Sequence, residues 1–512
     1  MKILLVYPDF PETFWGFKHA LKLISKKASL SPLGLLTVAA ILPEEWEKKL
    51  VDMNATSLKD EDIRWADYVF ISAMVIQQQS AKRVIERCRQ LGVKTVAGGP
   101  LFTTSYEEFE EVDHLVLGEA EVTLPQFLRD VERGSAQHLY ISHEWPDITK
   151  TPVPLWELVD MKKYSSMNVQ NSRGCPFDCE FCDIVVLNGR RPRVKEPGQF
   201  LRELDALYRL GWREGVFVVD DNFIGNKVKL KTGTLPALIQ WMRAHDHPFS
   251  FSTQASLNLA DDEELMELMV AAGFEQVFIG IETPNDESLE ECGKLQNTNR
   301  NLEAAVKRIL NHGLQVQGGF IVGFDHDPLS IFESQINFIQ RSGIVTAMVS
   351  LLCAPKGTRL YQRLKKEKRL LGETSGDNDS INFIPKMSWE TLFDGYRRIL
   401  SAIYSAKQFY ERVEIFLNEY RPQYPKTRLS RLRLHHLKAL FKSLWLLGVR
   451  ERGRIYYWKL LLRTLLCRPR SMPTALSLAA YGLHLQRFTR SYVARLSYRI
   501  GDKPLARGEG KV

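Results

Sequence analysis

Three things are scarce in this chain. Seven cysteines in 512 residues are too few and too unevenly placed for a disulfide framework. No apolar run approaches the roughly 20 residues that a membrane-spanning helix needs; the best candidate, 475–485, is short and carries His484. Acidic residues nearly vanish in the last stretch: 421–512 hold 21 Lys and Arg against 3 Asp and Glu, or 21 − 3 = +18, so the net +8 of the whole chain leaves 8 − 18 = −10 for the first 420 residues. Repeats and low-complexity tracts are also missing. The N-terminus runs from Met1 straight into a strand pattern without the apolar stretch and small-residue cleavage site of a secretory leader, so cytoplasmic synthesis and retention are expected. What remains is an ordinary globular composition, 44% hydrophobic and 25% charged, with room for several full-sized cores.

The first 133 residues alternate short apolar strands (2–7, 49–53, 67–72, 94–97, 114–117) with helical stretches (33–42, 79–91, 123–131), the pattern of a doubly wound α/β domain. Ligands of such sheets lie outside the carboxyl ends of the strands. Those ends carry Ser72, Ala73 and Met74, then Gly98, Gly99 and Pro100, then Gly118, where small residues admit a flat ligand to the backbone; the glycines also suit a plain tight turn. Residues 134–165 lose periodicity, contain Pro146, Pro152 and Pro154, and read as a linker. Six further strand patterns (167–172, 215–219, 249–253, 276–281, 314–321, 346–352) alternate with helices within 166–384, fitting a partial or full parallel barrel. From 385 to 512 the pattern is helical and basic.

Immediately after the first barrel strand stands Arg173-Gly174-Cys175-Pro176-Phe177-Asp178-Cys179-Glu180-Phe181-Cys182. Three thiolates on one short loop can ligate three irons of a 4Fe-4S cluster and leave the fourth open to an exogenous ligand. Zinc is the main alternative, but a structural zinc site wants a fourth Cys or His, and Cys292 and Cys353 are remote in sequence. The spacing C-x3-C-x-F-C resembles the signature of the radical S-adenosylmethionine superfamily. The N-terminal domain, through Ser31-Pro32-Leu33-Gly34-Leu35 and Gly118-Glu119-Ala120-Glu121, resembles the cobalamin-binding domains fused to such barrels, and the helical tail resembles the branch that includes hopanoid methylases.

The resemblance implies three cofactors: a 4Fe-4S cluster on Cys175, Cys179 and Cys182, S-adenosylmethionine on the open iron, and cobalamin on the first domain. In that superfamily an electron from the cluster cleaves S-adenosylmethionine to methionine and a 5′-deoxyadenosyl radical. Phe181 belongs to the cluster motif. Asp220 and Asp221, at the end of the second strand, are expected to hold the methionyl end, or else to form a solvated turn. Glu282 resembles the ribose-contacting acid, Gly318 and Gly319 the segment that meets adenine, and 354–358 a similar turn. Ser72, Ala73, Gly98, Gly99 and Gly118 are expected to line the corrin face. The Asp-x-His-x-x-Gly motif of many cobalamin domains is missing, since 9–16 contain no His and His19 lacks the context, so any cobalamin is expected to bind without a His lower ligand. Cys88, Cys292, Cys353 and Cys467 read as packing thiols.

The tail 421–499 mixes Arg and Lys with Leu, Trp and Tyr at helical spacing, as in Arg431, Leu432, Arg433, Leu434, Leu437, Phe441 and Trp445. An anionic membrane surface fits best, ahead of a docking helix over the barrel; RNA is disfavoured because no RNA-binding module accompanies it. Together these readings imply a methyltransferase acting on an unactivated carbon of a hydrophobic small molecule, such as a hopanoid, with a flavodoxin or ferredoxin as reductant. The alternatives are a cyclase or ring-modifying enzyme acting on a tetrapyrrole or quinone, and a membrane-associated iron-sulfur sensor.

Overall fold

The computed structural model describes residues 1–374, 381–422, 434–496, 499–500 and 503–504. Two parallel six-stranded sheets follow one another along the chain. The first comprises β1 (Lys2–Tyr7), β2 (Glu47–Asp52), β3 (Tyr68–Ser72), β4 (Lys94–Gly98), β5 (His114–Val116) and β6 (Leu139–Tyr140), in the order β2-β1-β3-β4-β5-β6. Side chains of a strand alternate between faces. Ile3 and Leu5 accordingly meet the helices Leu33–Ile41 and Ala120–Glu132, while Leu4 and Val6 meet Gln78–Gln90. The strand β6 lies inside the stretch expected to be a linker. Two residues are too few to show an alternation, and what holds them is pairing with β5 and the Tyr140 hydroxyl donating to Asp130 at 3.1 Å.

The second sheet has the order β14-β13-β12-β11-β10-β7, from β7 (Ser166–Val169), β10 (Gly215–Val218), β11 (Ser250–Ala255), β12 (Phe274–Glu282), β13 (Gln315–Val322) and β14 (Ala347–Leu351). Its edge strands β7 and β14 are not paired with each other, so the barrel is partial. The expected single strand 167–172 is divided. After β7 the chain turns into a two-residue hairpin of β8 (Ser172–Arg173) with β9 (Arg193–Val194), because Asn171 and Ser172 are drawn to Asp220 instead of continuing the ladder.

The C-terminal extension contains the helices Trp389–Ile403, Ala406–Glu419, Leu434–Trp445, Arg454–Cys467 and Met472–Arg495. It shares one continuous core with the barrel. The buried Arg412 donates to the Val345 carbonyl at 3.3 Å and the Gln340 side chain at 3.1 Å, and Tyr396 donates to the Val349 carbonyl at 3.1 Å. The Met472–Arg495 helix is a docking helix: Ala475, Leu478, Leu483 and Phe488 are buried, and Phe488 packs on Phe14 with ring centroids 4.4 Å apart. Buried His484, whose pKa burial lowers to about 4, donates from Nε2 to the Phe14 carbonyl at 3.1 Å and accepts the His19 N–H on Nδ1. The far end of the chain thus pins the N-terminal segment 14–19. Among the described residues no helix is long and apolar enough to cross a membrane. Of the four thiols expected to pack, Cys88 and Cys292 are buried and Cys353 is half-buried, but Cys467 is exposed because it ends a helix on its outward side. Arg431, Leu432 and Arg433, and the side chains of Leu434 and Leu437, lie outside the described residues.

Candidate functional site

The three cysteines sit on the loop that leaves β8. Gly174 starts it with φ of +95°, and a Cβ there would crowd the Arg191, Asn188 and Gly189 carbonyls at 2.8–3.0 Å, so only glycine closes this turn. The Cys175 N–H donates to the Gly189 carbonyl at 3.2 Å and the Cys182 N–H to the Cys179 carbonyl at 3.1 Å. Each sulfur has a nitrogen donor beside it. Asn222 Nδ2 lies 3.9 Å from Cys175 Sγ, Gln296 Nε2 lies 4.0 Å from Cys179 Sγ, and the Ile184 N–H faces Cys182. Burial raises all three thiols, Cys182 to about 12, and the Lys294 ammonium opposes that rise at each. No three His, Cys, Asp or Glu among the described residues converge on a single ion. A cluster takes one cysteine on each of three irons, which three thiols on one short loop, each beside a nitrogen donor, can supply. The donor set therefore fits a 4Fe-4S group.

Lys294 is the residue that sequence reasoning missed. It is held by Glu282 at 2.7 Å, and although burial alone depresses an ammonium, Glu282 and the thiols raise its pKa. Glu282 stands at the end of β12 with φ of +66°, an uncommon conformation for a side-chain-bearing residue, and the β12–β13 register slips there. A Cβ on Gly280 would collide with the Glu282 carboxylate and the Lys294 ammonium. The barrel wall thus leaves room for a buried ion pair beside the thiols. Glu282 is where the sequence placed it; its partner, twelve residues on, has no motif that would mark it.

One of the two aspartates does different work from that expected. Asp220 is fully buried and accepts from the Asn171 N–H at 2.7 Å and the Ser172 hydroxyl at 2.6 Å, its pKa raised by burial to about 6. With no accessible surface it holds the chain rather than a cofactor. Asp221, half-buried and also raised by burial, accepts from the Gly174 N–H at 2.7 Å and Asn188 Nδ2 at 2.9 Å, bracing both arms of the cluster loop. Phe181 packs against the core, 6.2 Å from the Phe324 ring. Gly319 faces Phe278 on the sheet side that carries Gly280 and Glu282, whereas Gly318 points to Ile344 under the helices, because successive residues of a strand face opposite ways. Gly318 is therefore a packing position. In the segment 354–358, Ala354 is buried and Lys356 reaches across to Glu107 of the first domain at 3.0 Å.

A network of buried charges joins the cluster loop to the first domain. Arg173, two residues before Cys175, is paired through Nη1 with Glu119 and through Nη2 with Glu121 at 2.7 Å. Arg193 reaches the other Glu119 oxygen at 2.6 Å, Thr151 donates to Glu121 at 2.8 Å, and Gln170 accepts from Arg173 Nε at 2.7 Å. Burial works against a charged Glu121, yet Arg173 holds it below its ordinary pKa. The segment Gly118-Glu119-Ala120-Glu121 is thus the tie between the first sheet's carboxyl edge and the cysteines.

Along that edge Ser72, Gly98, Gly99 and Gly118 are half-buried, and Met74 is exposed. Strand order reverses between β1 and β3, which opens the crevice where doubly wound sheets bind ligands. Ser72, Gly98, Gly99 and Gly118 keep the three expected ends low between the larger Met74 and Pro100, so the surface fits a flat tetrapyrrole. The glycines also have internal reasons: a Cβ on Gly98 would strike the Val116 carbonyl at 2.6 Å, and Gly99 adopts φ of +90° against Ser72. Ala73 corrects the expectation, since it is 1% exposed and its carbonyl accepts the Leu101 N–H. His19 is engaged with Glu12 at 3.3 Å and with His484, away from this edge.

Comparison with known proteins finds three matching segments along the chain. A sequence profile for the radical SAM superfamily matches residues 170–339, one for the B12 binding domain matches 23–128, and a domain of unknown function matches 358–497. An uncharacterized methyltransferase of Synechocystis sp. is 42% identical over 508 residues, covering 98% of this chain and 94% of the relative. The chain belongs to the cobalamin-binding radical S-adenosylmethionine family. It is an enzyme of that family's methyltransferase type, and its cofactors are a 4Fe-4S cluster, S-adenosylmethionine and cobalamin. The hopanoid C-2 methylase of Rhodopseudomonas palustris is 32% identical over 476 residues, covering 91% of this chain and 89% of the relative. Among solved structures, the cobalamin-dependent radical S-adenosylmethionine enzyme OxsB, with aqua-cobalamin and S-adenosylmethionine bound, superposes with a TM-score of 0.60 at 14% identity, over 96% of this chain and 80% of that one. At that identity the likeness is one of fold.

Proposed function

We infer that this radical S-adenosylmethionine enzyme methylates an unactivated carbon of a hydrophobic small molecule, a hopanoid or similar polycyclic isoprenoid, with a flavodoxin or ferredoxin as electron source. The observation that carries the reading is the 32% identity to hopanoid C-2 methylase, which covers too much of this chain to leave out the helical extension. When bound, the cluster and S-adenosylmethionine supply one-electron chemistry and cobalamin carries a methyl group. The residues supply the positions. Cys175, Cys179 and Cys182 hold the cluster, the Glu282–Lys294 pair offers a carboxylate and an ammonium beside it, Gly319 leaves the barrel wall low, and Ser72, Gly98, Gly99 and Gly118 offer a flat edge for the corrin. Arg173, clamped by Glu119 and Glu121, keeps the two sites in register.

The test is mass spectrometry of total lipid from cells with and without the gene, in a host that supplies cobalamin and polycyclic lipids. A gene-dependent lipid heavier by one methylene unit supports the reading. Unchanged lipids with a gene-dependent tetrapyrrole or quinone product would overturn it.

A further inference from the structure

Two helices of the basic tail have opposite fates. Met472–Arg495 is spent on docking, but the preceding helix, Arg454–Cys467, turns only Tyr457, Leu460, Leu461 and Thr464 inward. Its outward side is greasy: Ile455 is 74% exposed and Leu466 81%, with Trp458 and Leu462 between them at helical spacing. The end of the helix before it adds exposed Phe441 and Trp445. Stretches this dense in exposed aromatic and aliphatic side chains mark an interaction site.

The charges around it name the partner. Residues 441–470 hold eight Lys and Arg against one acid, 8 − 1 = +7. That acid, Glu451, is turned inward to Arg487 at 2.6 Å and Arg490 at 3.2 Å, and both arginines hold its pKa down against the effect of burial. Lys442, Arg452, Arg454 and Lys459 are exposed beside the apolar stripe, and Arg463, also exposed, pairs with Glu414. A second copy laid on this face would bring like charges together, whereas phospholipid headgroups of negative charge complement them, and long cationic side chains reach headgroups while apolar ones enter the acyl boundary. We propose that the 441–470 segment is a monotopic docking face for an anionic lipid bilayer. Exposed aromatic and leucine side chains insert at the headgroup level, and the cationic rim anchors them. The face is read from its own residues and stands whatever the substrate.

Purified holoenzyme is floated with phosphatidylcholine vesicles, with and without phosphatidylglycerol. The expected result is recovery roughly tenfold higher on the anionic vesicles. W445E/L462E/L466E, all at exposed positions, should abolish that recovery while iron and cobalamin contents stay at wild-type levels. L329E, at a position 74% exposed on the barrel, should float as the wild type does. Equal recovery on neutral and anionic vesicles, or a triple variant that still floats, overturns the proposal. So does a concentration-dependent dimer that the triple variant dissolves, which would assign the face to a second copy. Lipid methylation measured separately on detergent-dispersed substrate distinguishes failure of this face from failure of the substrate reading.

Discussion

The cluster loop and the carboxyl edge of the first sheet, proposed above as the two cofactor sites, are made in opposite ways. At the loop, almost every polar group is committed: Asp220 and Asp221 to backbone and amides, Glu180 to Arg363 at 2.7 Å, Arg173 to two glutamates. At the edge, the features are missing side chains and two glycines of positive φ, Gly99 and Gly118. The difference follows from the ligands. Three thiolates must be aimed at separate irons and need a rigid frame of buried charges, while a corrin needs a flat surface and room. A site made of specific atoms should fail outright when one is removed, and a site made of shape should degrade.

The sharpest contrast comes from Cys179→Ala. It should abolish the cluster and cofactor cleavage while cobalamin occupancy is retained, as read by iron content and corrin absorbance. Arg173→Ala tests the tie between the two sites. It leaves Glu121 buried without an ion-pair partner and Glu119 with Arg193 alone, a loss of about 3–5 kcal/mol, so the melting transition should drop and both occupancies fall together; a fall in one alone would show that the sites are built independently. A smaller effect is expected at Asp220, whose pKa rises from 3.8 to about 6 on folding. A carboxyl with a raised folded pKa favours folding while protonated, so between those values wild-type stability should fall with rising pH, relative to Asp220→Asn, by roughly 3 kcal/mol. Parallel denaturation curves across that window would refute the buried-acid account. Gly99→Ala is the mildest: strain at φ of +90° costs about 1–3 kcal/mol. Cobalamin occupancy should decrease with iron content unchanged, and any loss of cluster would erase the distinction between the two sites.

Legibility followed the range of the interactions. The strands of both sheets were visible because alternation and apolar runs are local, and the cysteines because a cluster is bound by a few residues of one loop. The strand at Leu139–Tyr140 was invisible because two residues carry no period. Lys294 was missed because its role depends on Glu282 and three thiols brought to it by the barrel. Asp220, Gly318 and Ala73 were read as cofactor residues because a strand end looks alike whether it faces a ligand or the core. The tail was legible as amphipathic and basic, but not which of its helices would be consumed by docking.

The sequence by itself determined the two α/β units, the cluster loop and the charge of the tail, since strand alternation, cysteine spacing and composition are properties of neighbouring residues. Only the tertiary structure decided that Asp220 is buried, that Glu119 and Glu121 grip Arg173, that Lys294 faces the thiols, and that Ile455, Trp458 and Leu462 are left uncovered. Those outcomes depend on which distant segments pack together, and burial is set by that packing rather than by the identity of the residue.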